Sequence, residues 1–293
     1  MTGSPGGETT RRAGRGPLAR VRSAGWLAAV PLLLFYAVVF GGPAVMIVIG
    51  AFTVEGELGL GNMTESLQGG YLVALIGSVQ LSAVVAVAGA VLGTFLAQAV
   101  VTSRSRLLRE GVLTASGVLA NFGGVPLAFL WIATLGNAGV VTTTLGLGDL
   151  GWSLYNFWGL ALVYMYFSVP LMVLVMAPAL DGLRPQWREA AQNSGASTWQ
   201  FWRYVGIPVL APSLLGGVVL LFGGSFAAYA TAAAMVGATV PLVTLQIGDA
   251  LSGNVLIGHE NVALALSLDM ILVAGLVMAV YLPMQRRSAR WLR

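Results

Sequence analysis

The sequence predicts an all-α protein built on six membrane-crossing helices, and three observations carry that expectation. Of 293 residues, 57% are hydrophobic and 9% are charged, where a water-soluble domain carries about 25% charged residues. Six apolar runs are each longer than the roughly 20 residues that cross a bilayer. All fifteen basic residues fall on one alternating set of the segments that flank those runs, the bias that fixes the orientation of membrane proteins.

Composition also removes several kinds of chemistry. Cysteine is absent, which excludes disulfides, thiolate nucleophiles and cysteine metal sites. The single histidine, His259, cannot make a multi-histidine metal centre, and reads as a solvated loop residue. Lysine is absent too, so the phosphate-binding loop that requires it is excluded, as is a lysine Schiff base. No cofactor is expected. The net charge of +4 reports topology and gives no sign of nucleic-acid binding.

Residues 1–25, rich in Gly, Ser, Thr, Pro and Arg, are expected to form a disordered basic tail. The first apolar run, Trp26–Phe52, is about twice as long as the apolar core of a secretory leader and is expected to be a retained membrane helix. The other runs are Tyr71–Val101, Gly111–Leu135, Trp158–Leu180, Ile207–Val236 and Val262–Met284. The linkers between them are too short for a separate soluble domain, so 26–293 is expected to be one six-helix unit.

Orientation follows from the arginines. Arg11, Arg12, Arg15, Arg20 and Arg22 precede span one. Arg104, Arg106 and Arg109 lie between spans two and three, and Arg184, Arg188 and Arg203 between spans four and five. Arg286, Arg287, Arg290 and Arg293 follow span six. Connections 53–70, 136–157 and 237–261 hold none but carry Glu55, Glu57, Glu65, Asp149, Asp249 and Glu260. Both termini are therefore expected in the cytoplasm. The outer acids could attract cations or dock an external protein.

Three spans contain potential helix breaks: Gly41-Gly42-Pro43, Asn121-Phe122-Gly123-Gly124-Val125-Pro126, and Gly223-Gly224-Ser225. Such breaks free backbone groups that need protein or cavity water as partners, and in transporters they sit beside the solute path. The alternative is close helix packing, the reading preferred for Gly89-x-x-x-Gly93. Asn121, Ser225, Tyr229 and Asp269 are the candidate pathway residues. Asp269 stands out as an ionisable group well inside a span, and such groups are functional by default; a structural hydrogen bond or snorkelling to water is the alternative.

The connection 181–208 differs from the others. Pro185 suits the first turn of a helix and Gly195 a left-handed helix end. Ser197 precedes Gln200 at capping-box spacing. The segment therefore reads as helix, turn, helix. Trp187, Trp199, Phe201, Trp202 and Tyr204 would suit an interfacial amphipathic helix, but that alternative leaves the order of small residues unexplained.

That order resembles the signature loop of the inner-membrane permeases of bacterial ABC importers that depend on a binding protein. The family pattern is Glu-Ala-Ala, three residues, Gly, nine residues, then Ile-x-Leu-Pro. Glu189, Ala190, Ala191, Gly195 and Pro208 stand at that spacing, with Val205 in place of isoleucine and Ile207 in place of leucine. The resemblance implies the type I ABC importer permease architecture, with 181–208 as a coupling loop docked on a separate ATPase dimer. It also implies a second permease subunit, a paralogue of this chain in the usual arrangement, and an extracytoplasmic substrate-binding protein. ATP hydrolysis would then belong to the partner, with this chain non-catalytic. Ser225–Thr231, Val240–Gly248, Gly253–Ile257 and Glu260–Ala265 resemble the spermidine/putrescine-type branch, which implies a polyamine; that branch also holds permeases for phosphonate, thiamine and iron, and other small charged solutes and sugars remain open. A stand-alone secondary transporter would leave the loop unexplained, and an intramembrane enzyme lacks catalytic material.

Overall fold

The computed structural model describes residues 18–54, 56–253 and 261–289. Expectations placed on Glu55, Asn254, His259, Glu260, most of the tail and the last four residues lie outside the described residues. The chain divides into two compact units, Met1–Ile49 and Gly50–Arg293.

The first unit is dominated by helix α1, Leu18–Ala51. It begins ahead of the apolar run, so 18–25 is helical where a disordered tail was expected. Leu18, Ala19, Arg20 and Arg22 are good helix formers and nothing there stops a helix. Pro31 and Pro43 both lie within it, so Gly41-Gly42-Pro43 does not interrupt the span; membrane helices tolerate a proline whose lost bond is made good locally.

The second unit opens with a short antiparallel hairpin, β1 Thr53–Val54 and β2 Glu57–Leu58. Helix α2, Gly61–Ser66, leads into α3, Gly69–Thr102. Next come α4, Arg106–Asn121, α5, Gly124–Leu135, and α6, Val140–Thr144. Helix α7 spans Phe157–Asp181, started by Asn156, whose side chain accepts from the Gly159 amide at 2.9 Å. Helices α8, Pro185–Asn193, and α9, Thr198–Phe201, precede a π-helical turn, Trp202–Gly206. Then follow α10, Ile207–Phe226, α11, Ala230–Met235, a short 3-10 turn Gly237–Thr239, α12, Val243–Leu251, and α13, Val262–Ala289.

Among the described residues six stretches are long and apolar enough to cross a membrane: Ala29–Ala51, Gly69–Thr102, Gly124–Thr144, Phe157–Asp181, Thr198–Phe226 and Val262–Arg286. Two of them differ in their bounds or breaks from the spans expected from the sequence. The expected third span, Gly111–Leu135, is divided, with α4 ending at Asn121 and α5 beginning at Gly124, so that the crossing stretch starts only at Gly124. The fifth breaks at 227–229 rather than at Gly223-Gly224-Ser225, which continue α10. A glycine pair lowers helix propensity, yet this one stays helical with open space on its side-chain face. At Gly124 the φ of +73° is one that only glycine adopts cheaply.

Helix α3 sits at the centre, against α7, α10, α4 and α12. The close approach of α3 to α7 depends on glycine. A Cβ on Gly93 would stand 2.8 Å from the Val169 carbonyl oxygen, and one on Gly89 3.2 Å from Ser168 Cβ. The Gly89-x-x-x-Gly93 spacing is therefore a packing ridge. Around it two apolar clusters form, one on Ala90, Met172, Met176 and Leu221, the other on Leu81, Leu127, Tyr164 and Met235.

Candidate functional site

Two places in the second unit carry the features singled out in the sequence. The first is the loop after α7. Helix α8 starts at Pro185, whose missing N–H is one a first turn leaves unbonded. It ends in a Schellman turn: the Gly195 amide donates to the Gln192 carbonyl and the Ala196 amide to the Ala191 carbonyl, both at 2.9 Å. Gly195 has φ +75°, and a Cβ there would meet nothing within 4 Å. Its requirement is thus conformational rather than steric.

Ser197 caps α9 through a reciprocal pair. The Gln200 amide donates to the Ser197 hydroxyl at 3.2 Å, and the Ser197 amide donates to the Gln200 side-chain oxygen at 2.7 Å. The chain then widens into the π turn, in which the Ile207 amide donates to the Trp202 carbonyl. Pro208 explains the widening, since it has no N–H and its ring crowds the carbonyl four residues earlier. In this way α9 runs straight into α10, and the loop is rigidly continuous with the fifth span.

Glu189 and Ala190 are exposed and Ala191 half-buried. The two alanines line a hollow of about 730 Å³ together with Val205 and Trp187. Ile207, exposed, lines an apolar cavity on the other side with Trp202. Charges absent from the motif also shape the loop. The Arg109 guanidinium pairs with the Asp181 carboxylate, tying the start of α4 to the end of α7 where the loop departs. Arg184 lies 5.9 Å from the centre of the Trp187 ring. The signal for the first pair was present in sequence, because both residues fall in segments on the arginine-bearing side.

The second place is where the two breaks meet. A cavity of about 360 Å³ is lined by Asn121, Gly123 and Gly124 from the first break and by Ala228, Tyr229 and Thr231 from the second, with Ser168 of α7 behind them. The breaks are cross-bonded. Thr231 Oγ1 donates to the Gly124 carbonyl at 3.2 Å. Tyr164 Oη donates to the Ala228 carbonyl at 3.1 Å, from a fully buried position on α7. The Tyr229 ring occupies the space above Gly248, where an added Cβ would fall 2.8 Å from the hydroxyl.

Asn121 and Tyr229, two of the candidate pathway residues, thus line one cavity. Ser225 and Asp269 do not line this cavity. Ser225 is buried in α10 with its hydroxyl unpartnered. Asp269 is 4% exposed in α13 and faces the Ser66 hydroxyl of α2. Glu57, Asp149 and Asp249 are exposed. No acidic or histidine group that could hold a metal occurs among the described residues. Sequence reasoning missed Tyr164, Ser168 and Thr231, because polar side chains inside apolar runs carry no periodic signal.

Comparison with known proteins gives a concordant result. A family model described as "Binding-protein-dependent transport system inner membrane component" matches residues 89–293. The sulfate transport system permease protein CysT of Escherichia coli (strain K12) is 38% identical over 68 residues, 23% of this chain and 24% of that one. The thiamine transport system permease protein ThiP of the same organism is 28% identical over 149 residues, 50% of this chain and 26% of that one. The match to the first sulfate relatives thus spans about a quarter of their length. Among solved structures, a chain of a bacterial alginate ABC transporter in complex with alginate pentasaccharide-bound periplasmic protein superposes with TM-score 0.70 at 17% identity. That superposition covers 92% of this chain and 97% of that one, which establishes the shared fold.

Proposed function

The chain belongs to the family of binding-protein-dependent transport system inner membrane components, and we propose that it forms one half of the solute path of an ATP-driven importer. It is a multi-pass inner-membrane protein, oriented with both termini in the cytoplasm. The loop 181–208 couples it to a separate ATPase dimer, a second permease chain completes the path, and an external binding protein delivers the solute. ATP hydrolysis belongs to the ATPase, since this chain has no lysine.

The observation that carries the reading is the geometry of the loop. Two short helices meet at a left-handed glycine, and the second continues unbroken into a membrane span. A push on α8 or α9 from a closing ATPase dimer is therefore passed to α10 as a rigid displacement. Exposed Glu189 offers the ATPase a carboxylate for a basic partner, and exposed Ala190 lets the α8 backbone approach closely.

For the solute, the relatives named above point to sulfate or thiamine, and that of the solved structure to alginate. The sequence resemblance to the polyamine branch gains no specific support from them. A small oxyanion of the sulfate kind is the substrate we favour.

The test is co-purification of the ATPase with the tagged chain, alongside solute uptake in the same strain. Gly195→Asp and Glu189→Lys are expected to remain in the membrane, lose ATPase retention and abolish uptake. Wild-type retention and uptake in both would reduce the loop to an interfacial helix.

A further inference from the structure

We infer that the cavity between the two helix breaks is a subsite for a small oxyanion of the sulfate class, held by neutral hydrogen-bond donors. This deepens the importer reading and rests on it. Helix α5 begins in the cavity, and its cap residue Gly123 brings no side-chain acceptor. The first-turn N–H groups of Gly124 and Val125 have no intrahelical partner, and Pro126 at the third position has none to offer. A Cβ added to Gly123 would meet nothing within 4 Å, so the space before this first turn is open. A helix start with free amides and open space attracts an anion.

A second observation is independent of the helix. Ser168, on α7, lines the same cavity, is 1% exposed, and its hydroxyl has no partner. A buried hydroxyl left unpaired is costly, and an acceptor entering the cavity relieves that cost.

The two carbonyls at the breaks already accept hydrogen bonds. The Gly124 carbonyl accepts from Thr231, and the Ala228 carbonyl accepts from Tyr164 and, at 3.4 Å, from Thr244. Asn121 uses one amide hydrogen on the Gly117 carbonyl and keeps the second. No residue lining the cavity carries a charge, and Asp269, the one acid well inside a span, is not among them. A polyamine would find no carboxylate here. An oxyanion finds donors without a fixed countercharge, which suits a transit site that must bind weakly enough to release.

The experiment is equilibrium binding of radiolabelled sulfate to the purified full chain in lipid nanodiscs at low ionic strength, with selenate, chloride and spermidine as competitors. Saturable binding is expected, displaced by selenate but not by equimolar chloride or spermidine. Ser168→Ala and Asn121→Ala should each weaken it by about tenfold, close to 1.4 kcal/mol, while Ser168→Thr, which keeps the hydroxyl, binds as wild type. Thermal melting confirms that each variant is folded. The subsite is overturned by non-saturable sulfate uptake into the discs, by displacement with spermidine, or by unchanged affinity in the folded Ser168→Ala, Asn121→Ala double variant. ATPase retention does not involve this cavity. Loss of sulfate binding with the ATPase retained removes the subsite alone, and sulfate binding without ATPase retention removes the importer reading alone.

Discussion

The Thr231 hydroxyl donates to the Gly124 carbonyl at 3.2 Å, joining the break in the fifth span to the break in the third. The two residues are 107 positions apart in the chain, and the carbonyl belongs to the one residue of the first break with left-handed backbone. Thr231→Val keeps the shape and removes the donor. It should destabilise the protein by about 1 kcal/mol, seen as a lower thermal midpoint in nanodiscs, while Thr231→Ser should restore the midpoint. Equal midpoints for wild type and Thr231→Val would mean the breaks are held by packing alone.

A second pair makes a sharper thermodynamic test. The Trp202 indole fills the space where a side chain on Gly206 would stand, one turn along the π-helical segment. Gly206→Ala should therefore cost about 1–3 kcal/mol through overpacking. In a Trp202→Ala background the same change should cost close to nothing, so the two effects should be strongly non-additive. Melting midpoints of the two single variants and the double variant measure the coupling, and simple additivity would contradict the packing described.

Much of this was legible in the sequence, and the misses have physical causes. The spans were readable because lipid demands long apolar runs, and Gly195, Pro185 and the Ser197–Gln200 box were readable because caps are local chemistry. The location of the breaks was only half readable. Asn121–Pro126 does split a span, whereas Gly41-Gly42-Pro43 and Gly223-Gly224-Ser225 stay helical. Glycine lowers helix propensity at all three, so local propensity alone did not tell which of them breaks. The break at 227–229 includes Ala227 and Ala228, good helix formers; Tyr164 and Thr244 hold the Ala228 carbonyl there, and neither is near it in sequence. The cavity residues Ser168 and Thr231 were invisible for the same reason.

Orientation rests on the arginines and can be measured directly. A reporter fused after Arg293 should be active on the cytoplasmic side, and one inserted at Gly59–Leu60, in the arginine-free connection, on the opposite side. Arg109 pairs with Asp181, so the 104–109 and 181–184 segments lie at the same end of their helices. Arg106 and Arg109 start α4, and Arg184, Arg188 and Arg203 lie within the 181–208 loop. Labelling of the C-terminal fusion from outside intact cells would reverse the topology and put the loop on the wrong face for an ATPase.

Asp269 separates transport from assembly. Its depth in an apolar span first marks it as a pathway residue, yet its carboxyl is buried against α2, away from the cavity at the breaks. The surroundings are a latch. The Ser66 hydroxyl faces the carboxyl, and the Asn62 and Asn261 amides both donate to the Thr53 carbonyl, at 2.8 and 3.0 Å. Together these polar groups hold the start of α13 to α2 and the hairpin. One carboxyl oxygen, Oδ2, has no hydrogen-bond partner, so an uncharged amide of the same shape can replace the acid. Asp269→Asn is therefore expected to accumulate and melt like wild type. Asp269→Ala leaves a gap and removes the carboxyl that Ser66 faces, while the Ser66 hydroxyl keeps its bond to the Met63 carbonyl; the change should cost about 1 kcal/mol and lower both the yield and the melting midpoint. Uptake per unit of assembled protein should be unchanged in both. Normal assembly of Asp269→Asn with lost uptake would return the carboxylate to the solute path and, with it, the case for a cationic substrate.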